Sequence, residues 1–349
     1  MKIVVLAGGI SSERDVSILS GSKIAAALRT KGHKVVTIDP YMGYEQPLDD
    51  VESLFENNYD FTQNAVIKKE APDIEAVKKT RKNQNSVYFG DHVLDICRAA
   101  DITFLGLHGG EGEDGTVQAA LRLNGIKYTG SDMLGAAIAM HKGVTKGIFL
   151  NSNVPTPKSR LYKREFANSK YLDSWTTYPC VVKPCSAGSS VGVQIVADRD
   201  GLLAALAAAF TYDDDVLVEE YIKGREFSVG ILGGKALPVI EIIPKNGWYD
   251  YENKYQEGAT EEVCPAKLDP KIAERMQREA EHAFEVLRMK AYGRVDFLLD
   301  KNNDLFCLEA NTLPGMTPVS LLPQEAKAAG IDFPTLCEKI IELSLIKYR

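Results

Sequence analysis

Two changes of texture along the chain predict an α/β domain followed by an α+β region. Residues 1–40 read strand, helix, strand: "KIVVLA", then Gly8-Gly9, "DVSILSGSKIAAALRTKG" and "KVVTID", a βαβ opening. Beyond "NVPTP", whose two prolines mark a boundary, apolar segments follow one another as "YPCVVKP", "VGVQIVA", "DVLVEEYI", "EFSVGILGG" and "ALPVIEIIP". Strands in such succession suggest antiparallel sheet. After a helix at 270–290, "GRVDFLLDKNNDLFCLEAN" (residues 293–311) reads as a hairpin with a polar turn.

Between these regions, "DITFLGLHGG" is expected to be a buried strand and "GTVQAALRLNG" a helix closed by glycine. "KYTGSD" then leads into one long helix, "MLGAAIAMHKGVTKGIFLNS". Residues 41–92 are polar and periodic only in patches, and read as a solvated elaboration of the first domain. No repeat of 20 to 50 residues is visible.

Composition narrows the function. The 349 residues, 45% hydrophobic and 26% charged, suit a globular enzyme of two or three domains. A net charge of −7 and a pI near 5.4 argue against sequence-independent nucleic-acid binding. Neither a signal peptide nor a run long enough to cross a membrane is evident, so a cytoplasmic location is expected. The six cysteines form no C-x-x-C pair and read as buried free thiols.

"GEGEDG" satisfies G-x-G-x-x-G through Gly110, Gly112 and Gly115, with Asp132 beyond. Three acids inside the loop, Glu111, Glu113 and Asp114, repel a pyrophosphate, so nicotinamide or flavin binding is not expected. "VVKPCSAGSSVGVQIV" is more informative. A strand delivers Lys183, and Gly188, Ser189 and Ser190 offer unobstructed backbone and hydroxyl donors, which suits a phosphate flap as well as an ordinary hairpin tip. No Walker A loop is present.

In the hairpin, side chains two apart point the same way, so pairing gathers Arg294, Asp296, Glu309 and Asn311 into one patch. Two acids and an amide supply only oxygen ligands, the choice of a hard divalent ion such as Mg²⁺. This reading is favoured over surface acids paired with Arg294 because the other face is strongly apolar. "LVEEYIKGREF" ends a strand with Glu219 and Glu220, where a base and ribose could be read; the alternative is a solvated edge. "NGWYDYENKYQEGATEEVCPA" is long enough for a lid. Glu13 either complements a helix dipole or binds an amino group.

In this order, "LAGGISSERDVS", "LHGGEGEDGTVQAAL", "YTGSD", "VPTP", "VVKPCSAGSSVGV", "YDYENKY", "GRVDF" and "LEANTLPGMTPVSLLP" resemble the D-alanine–D-alanine ligases of the ATP-grasp superfamily. The resemblance implies an ATP-grasp fold with an N-terminal Rossmann-like (pre-ATP-grasp) α/β domain. Its divisions would be residues 1–130, elaborated at 41–92, a central subdomain at 131–220 with the flap, and a C-terminal one at 221–349 with lid and metal site.

The resemblance also implies roles. Lys142, Lys183 and Ser190 would bind ATP phosphates, Glu219 and Glu226 adenine and ribose, and Asp296, Glu309 and Asn311 two Mg²⁺, with Mn²⁺ as a substitute. Glu13 would hold the ammonium of the first D-alanine and form a triad with Ser189 and Tyr255, while Lys254 reaches the transferred phosphate. His108 would help position that D-alanine, Arg294 and the N–H of Gly315 would polarise the oxyanion, and Ser320 would meet the second carboxylate. The product would be D-alanyl-D-alanine, made through an acyl phosphate for peptidoglycan precursors. D-serine, and less so D-lactate, stands as the alternative second substrate, and another carboxylate–amine ligation as a wider one. The family often forms homodimers. Departures are His141 where aspartate is usual, Glu220 where some members carry lysine, and the wording of "PCSAGSS".

Overall fold

A computed structural model of the protein describes all residues except 64, 67–71, 167–173, 189–190 and 246–259. Three strands, β1 (Lys2–Leu6), β2 (Lys34–Ile38) and β3 (Ile102–Leu105), form a parallel sheet in the order β2-β1-β3. Their near-continuous Ile, Val and Leu runs suit strands covered on both faces. The helix Arg14–Thr30 covers one side, with Asp15 in its first turn and Arg29 in its last, each sign matching the helix dipole. In the elaboration, Val51–Glu56 and Ile74–Thr80 are short helices capped by Asp50 and Asp73, and the short helix Val93–Ala99 follows it.

The C-terminal helix Phe333–Leu345 returns to this domain and buries Leu336, Cys337, Ile340 and Ile341 in the same core as Ile24 and Leu28. Lys31 and His33 reach across to Glu338, at 3.0 and 3.2 Å. Tyr348 then clasps Tyr128, its hydroxyl accepting from the backbone N–H at 2.8 Å and donating to the carbonyl at 3.1 Å.

The second sheet contains β4 (Ser159–Lys163), β5 (Cys180–Pro184), β6 (Gln194–Val196) and β7 (Asp215–Glu220), antiparallel in the order β4-β7-β5-β6. The third contains β8 (Gly224–Leu232), β9 (Lys235–Ala236), β10 (Ile240–Pro244), β11 (Thr260–Val263), β12 (Tyr292–Asp300) and β13 (Leu305–Asn311). Its order is β11-β10-β8-β12-β13, with β9 beside β8. The end of the expected lid segment, Thr260–Val263, is thus an edge strand rather than loop. The helix Pro270–Val286 packs on this sheet through Met276, Ala280, Ala283 and Phe284, spaced for one face, and starts with Asp269 as cap and Pro270 in the first turn.

One expected element is divided. The apolar pattern of residues 133–152 promises a single helix, but His141 adopts an extended conformation (φ −89°, ψ 96°) between Met133–Met140 and Lys142–Asn151. Its Nδ1 accepts from Val144 N at 3.2 Å, so a side-chain cap replaces the helical hydrogen bond. Lys142 therefore stands at a helix start, where its backbone N–H donates to Cys185 O at 2.9 Å.

Candidate active site

The hairpin β12–β13 builds the centre of the cleft. Arg294 lies opposite Asn311 and Asp296 opposite Glu309, and directly opposed residues share a face. Past Asp296 the register shifts, so that Phe297 pairs with Cys307 and Leu299 with Leu305. Strict alternation along β13 would put Glu309 and Asn311 on the same face as the buried Leu305 and Cys307. The bulge resets that alternation: Ala310 enters the core and the two polar side chains turn to the cleft.

Asp296 is buried and fully engaged. Its carboxylate accepts from Ser228 Oγ at 2.8 Å, from Arg294 Nε and Nη2 at 2.9 and 2.8 Å, and from Asn311 Nδ2 at 3.1 Å. Glu309 Oε2 lies 3.6 Å from Lys142 Nζ, which also donates to Ala187 O at 2.9 Å in the glycine-serine segment. Lys142 thereby joins Ala187 to an acid of the hairpin.

A second charged cluster lies on the neighbouring sheet. Glu219, on β7 beside Val181 of β5, is 2% exposed and pairs with both Lys183 and Lys146, the latter at 3.1 Å. Lys146 is equally buried and donates to Thr156 Oγ1 at 2.6 Å and Cys307 O at 3.1 Å. Burial alone would raise the Glu219 pKa, but the two ammonium groups outweigh it and hold the carboxylate below its ordinary range. Burial pulls Lys146 the other way, below its ordinary value, despite Glu219. Lys146 faces the Oε2 atom of Glu219 and Lys183 the Oε1 atom. Glu226 stands near the start of β8, half-buried.

On the far side of the cleft, Glu13 is buried just before the first helix and caps it with no side-chain bond. A Cβ at Gly188 would fall 2.5 Å from Glu13 Oε2 and one at Gly109 2.9 Å from it, so both glycines are needed for this close approach. His108 is also buried: Nδ1 meets Leu313 O at 3.0 Å and Nε2 meets Ser20 Oγ at 3.0 Å. Loss of water pushes its pKa down, so the imidazole is neutral, with Nδ1–H donating to the carbonyl and Nε2 accepting from the hydroxyl. Ser320 Oγ sits 2.8 Å from Thr317 Oγ1 and accepts from Thr317 N at 3.2 Å, and a Cβ on Gly315 would touch it at 2.9 Å. Gly315 and Ser320 therefore share one turn before the helix Leu321–Ala328.

The donor set fits a hard cation shared with phosphate. Two carboxylates and an amide provide oxygen alone, and no group of three or more His, Cys, Asp or Glu suited to a metal occurs among the described residues. Mg²⁺ commonly takes few protein ligands and completes its shell with phosphate and water. Lysines stand next to the acids of both clusters.

Residues 2–131 match the D-ala D-ala ligase N-terminus family and residues 148–342 the D-ala D-ala ligase C-terminus family. The chain belongs to the D-alanine–D-alanine ligase family. It is 46% identical to the D-alanine–D-alanine ligase of Pediococcus pentosaceus over 98% of its own length and 97% of that protein's. Identity to the enzyme of Lacticaseibacillus casei is 42%, over 100% and 97% of the two chains. The crystal structure of the Bacillus anthracis D-alanine–D-alanine ligase complexed with ATP superposes with a TM-score of 0.74 at 34% identity, covering 99% of this chain and 97% of that one. VanG D-Ala:D-Ser ligase from Enterococcus faecalis superposes with a TM-score of 0.76 at 29% identity, covering 98% and 99%.

Within this ligase fold, Lys142, Asp296, Glu309, Asn311 and Arg294 come together at the hairpin, Lys183 and Glu219 pair on the neighbouring sheet, Glu13 approaches Gly188 and Gly109, His108 meets Leu313, and Gly315 and Ser320 share one turn. Ser189, Ser190, Lys254 and Tyr255 lie outside the described residues. Sequence reading missed Lys146, whose Thr- and Val-containing helix looks like any amphipathic segment; its spacing of four residues from Lys142 is the signal that was there to use. It also missed what Glu113 does inside the glycine fingerprint. That carboxyl accepts from Gly109 N at 2.8 Å, and burial, with the charge of Glu13, pushes its pKa up to about 8.

Proposed function

We propose that this chain joins two D-alanine molecules into D-alanyl-D-alanine with the conversion of ATP to ADP and phosphate, using Mg²⁺. The observation that carries the reading is the shared face of Arg294, Asp296, Glu309 and Asn311 with Lys142 3.6 Å from Glu309. Asp296, Glu309 and Asn311 would hold Mg²⁺, which when bound draws negative charge from the phosphates. Lys142 and Lys183 bind phosphate oxygens, and Glu219 and Glu226 face the base and ribose. Such preset charge suits phosphoryl transfer, which depends mainly on alignment and neutralisation.

The first D-alanine sits with its ammonium against Glu13, near His108, and its carboxylate takes the γ-phosphoryl group to become an acyl phosphate. This converts an oxygen that cannot leave into one that can. The amine of the second D-alanine, its carboxylate at Ser320, then attacks that carbonyl and phosphate departs. Arg294 and the Gly315 N–H stabilise the oxyanion, at about 3 kcal/mol per well-placed donor. Ser189, Ser190, Lys254 and Tyr255 fall in segments whose place in the family pattern is the flap and lid, where water exclusion protects the acyl phosphate. The product would feed peptidoglycan precursor synthesis in the cytoplasm, from a homodimer.

Phosphate release from Mg-ATP with D-alanine, L-alanine, D-serine and D-lactate, alone and mixed, tests the reading. D-alanine alone should suffice, and the mixed assays should yield mainly D-alanyl-D-alanine. The likeness to a D-Ala:D-Ser ligase makes D-serine the informative competitor. Turnover with L-alanine, or none with D-alanine, would refute the assignment.

A further inference from the structure

Lys146 is held too firmly to be a ligand-binding group. Its ammonium group is anchored to Thr156 Oγ1 and Cys307 O, and Thr156 itself donates to Cys307 O at 2.8 Å. These bonds tie the helix Lys142–Asn151 to the segment before β4 and to β13 at once. Lys183 differs: it lies on β5 just before the glycine-serine segment, is 9% exposed and is paired with the other oxygen of Glu219.

A buried carboxylate flanked by two ammonium groups carries one positive charge in excess. Removing either lysine leaves a balanced pair, whereas removing both would strand a buried anion, which is strongly unfavourable. Only Lys183 stands where it can leave.

We propose that Lys146 is a positioning residue for nucleotide: it is the permanent counter-ion of Glu219, and so lets Lys183 move from Glu219 to the phosphates of a bound nucleoside di- or triphosphate. The inference rests on the nucleotide-binding reading of this cleft. Without Lys146, Lys183 is the counter-ion Glu219 must keep, and phosphate binding loses its lysine.

The full chain, Lys146→Met and Lys146→Met/Glu219→Gln are titrated calorimetrically with Mg-ADP and with adenosine. Lys146→Met should weaken Mg-ADP binding at least about tenfold and adenosine less than about threefold; adding Glu219→Gln weakens both ligands at the base but should return the ratio of Mg-ADP to adenosine affinity to within about threefold of the parent's. Equal weakening of both ligands by Lys146→Met, or a double variant whose Mg-ADP-to-adenosine ratio stays as low as the single variant's, overturns the proposal, because a merely structural lysine behaves that way. Should Lys146→Met fail to fold, the double variant decides alone: a loss of about tenfold or more for Mg-ADP beyond that for adenosine refutes the proposal, and equal changes for the two ligands support it. A parent chain that does not bind Mg-ADP sinks the nucleotide reading as well, while parental binding matched by Lys146→Met sinks this inference only.

Discussion

Two of the buried glutamates, one on a strand of the second sheet and one on a helix against the third, are treated oppositely by the chain. Glu219, 2% exposed, faces Lys146 and Lys183, and its carboxylate is held below the ordinary range even though burial opposes ionisation. Glu325, 0% exposed on the helix Leu321–Ala328, accepts from the Gly230 N–H at 2.9 Å, and burial drives its pKa well above the ordinary value. Its Oε2 has no hydrogen bond among the described residues. Burial alone therefore does not decide whether an acid is a charge or a neutral packing group; the counter-ions do. Charge is kept on the side of the cleft where phosphates would be received, and suppressed behind β8.

The sharpest way to break this contrast is to delete the charged member. Glu219→Ala leaves two ammonium groups facing each other in the interior and is expected to cost about 3–5 kcal/mol, read as a lower urea midpoint with unchanged slope. A loss below about 1 kcal/mol would show that water already relaxes this cluster. Because the Glu219 pKa is depressed, its stabilising contribution is present above the unfolded carboxylate pKa and is lost as pH falls through the folded one. The acid limb of the parent's stability profile should thus be shallower in the variant.

Glu325 should show the reverse sign. A carboxyl whose folded pKa is raised binds more protons folded than unfolded above the ordinary glutamate range, so stability falls as pH rises there. Glu325→Gln keeps an acceptor for Gly230 N and removes the ionisation. Melting curves of the two proteins should coincide in acid and separate toward neutral pH, the variant melting higher. Parallel curves at every pH would mean that Glu325 is ionised in the folded protein.

Neither glutamate's state was legible in the sequence, although most of the architecture was. The βαβ opening and the run of strands after "NVPTP" follow from apolar periodicity that later packing reinforces. The hairpin was legible as polar pairs two apart, but the bulge that brings Glu309 and Asn311 round to Asp296 was not, because "LFCLEAN" alternates equally well without it. Glu325 reads as a surface residue of a helix until Gly230, almost a hundred positions away, is placed against it. Contacts across such separations set burial and counter-ions, and no local pattern encodes them.

A third acid extends the comparison to a half-buried position, where the stakes are lowest. Asp215 lies 3.1 Å from His141 Nε2, while Nδ1 of the same ring accepts from Val144 N. The ring must then lack a proton on Nδ1, with Nε2–H directed at Asp215, so the carboxylate selects the tautomer that caps the helix. His141→Ala removes both bonds and should cost about 1 kcal/mol, the usual value of a lost cap. His141→Asn, whose amide oxygen can accept from Val144 N, should recover most of it. His141→Asp also offers an acceptor but sets a second carboxylate against Asp215, and should fall between the two. If aspartate instead matched asparagine in urea denaturation, Asp215 would be too well solvated to count, and the rule drawn from the two buried glutamates would end where solvent begins.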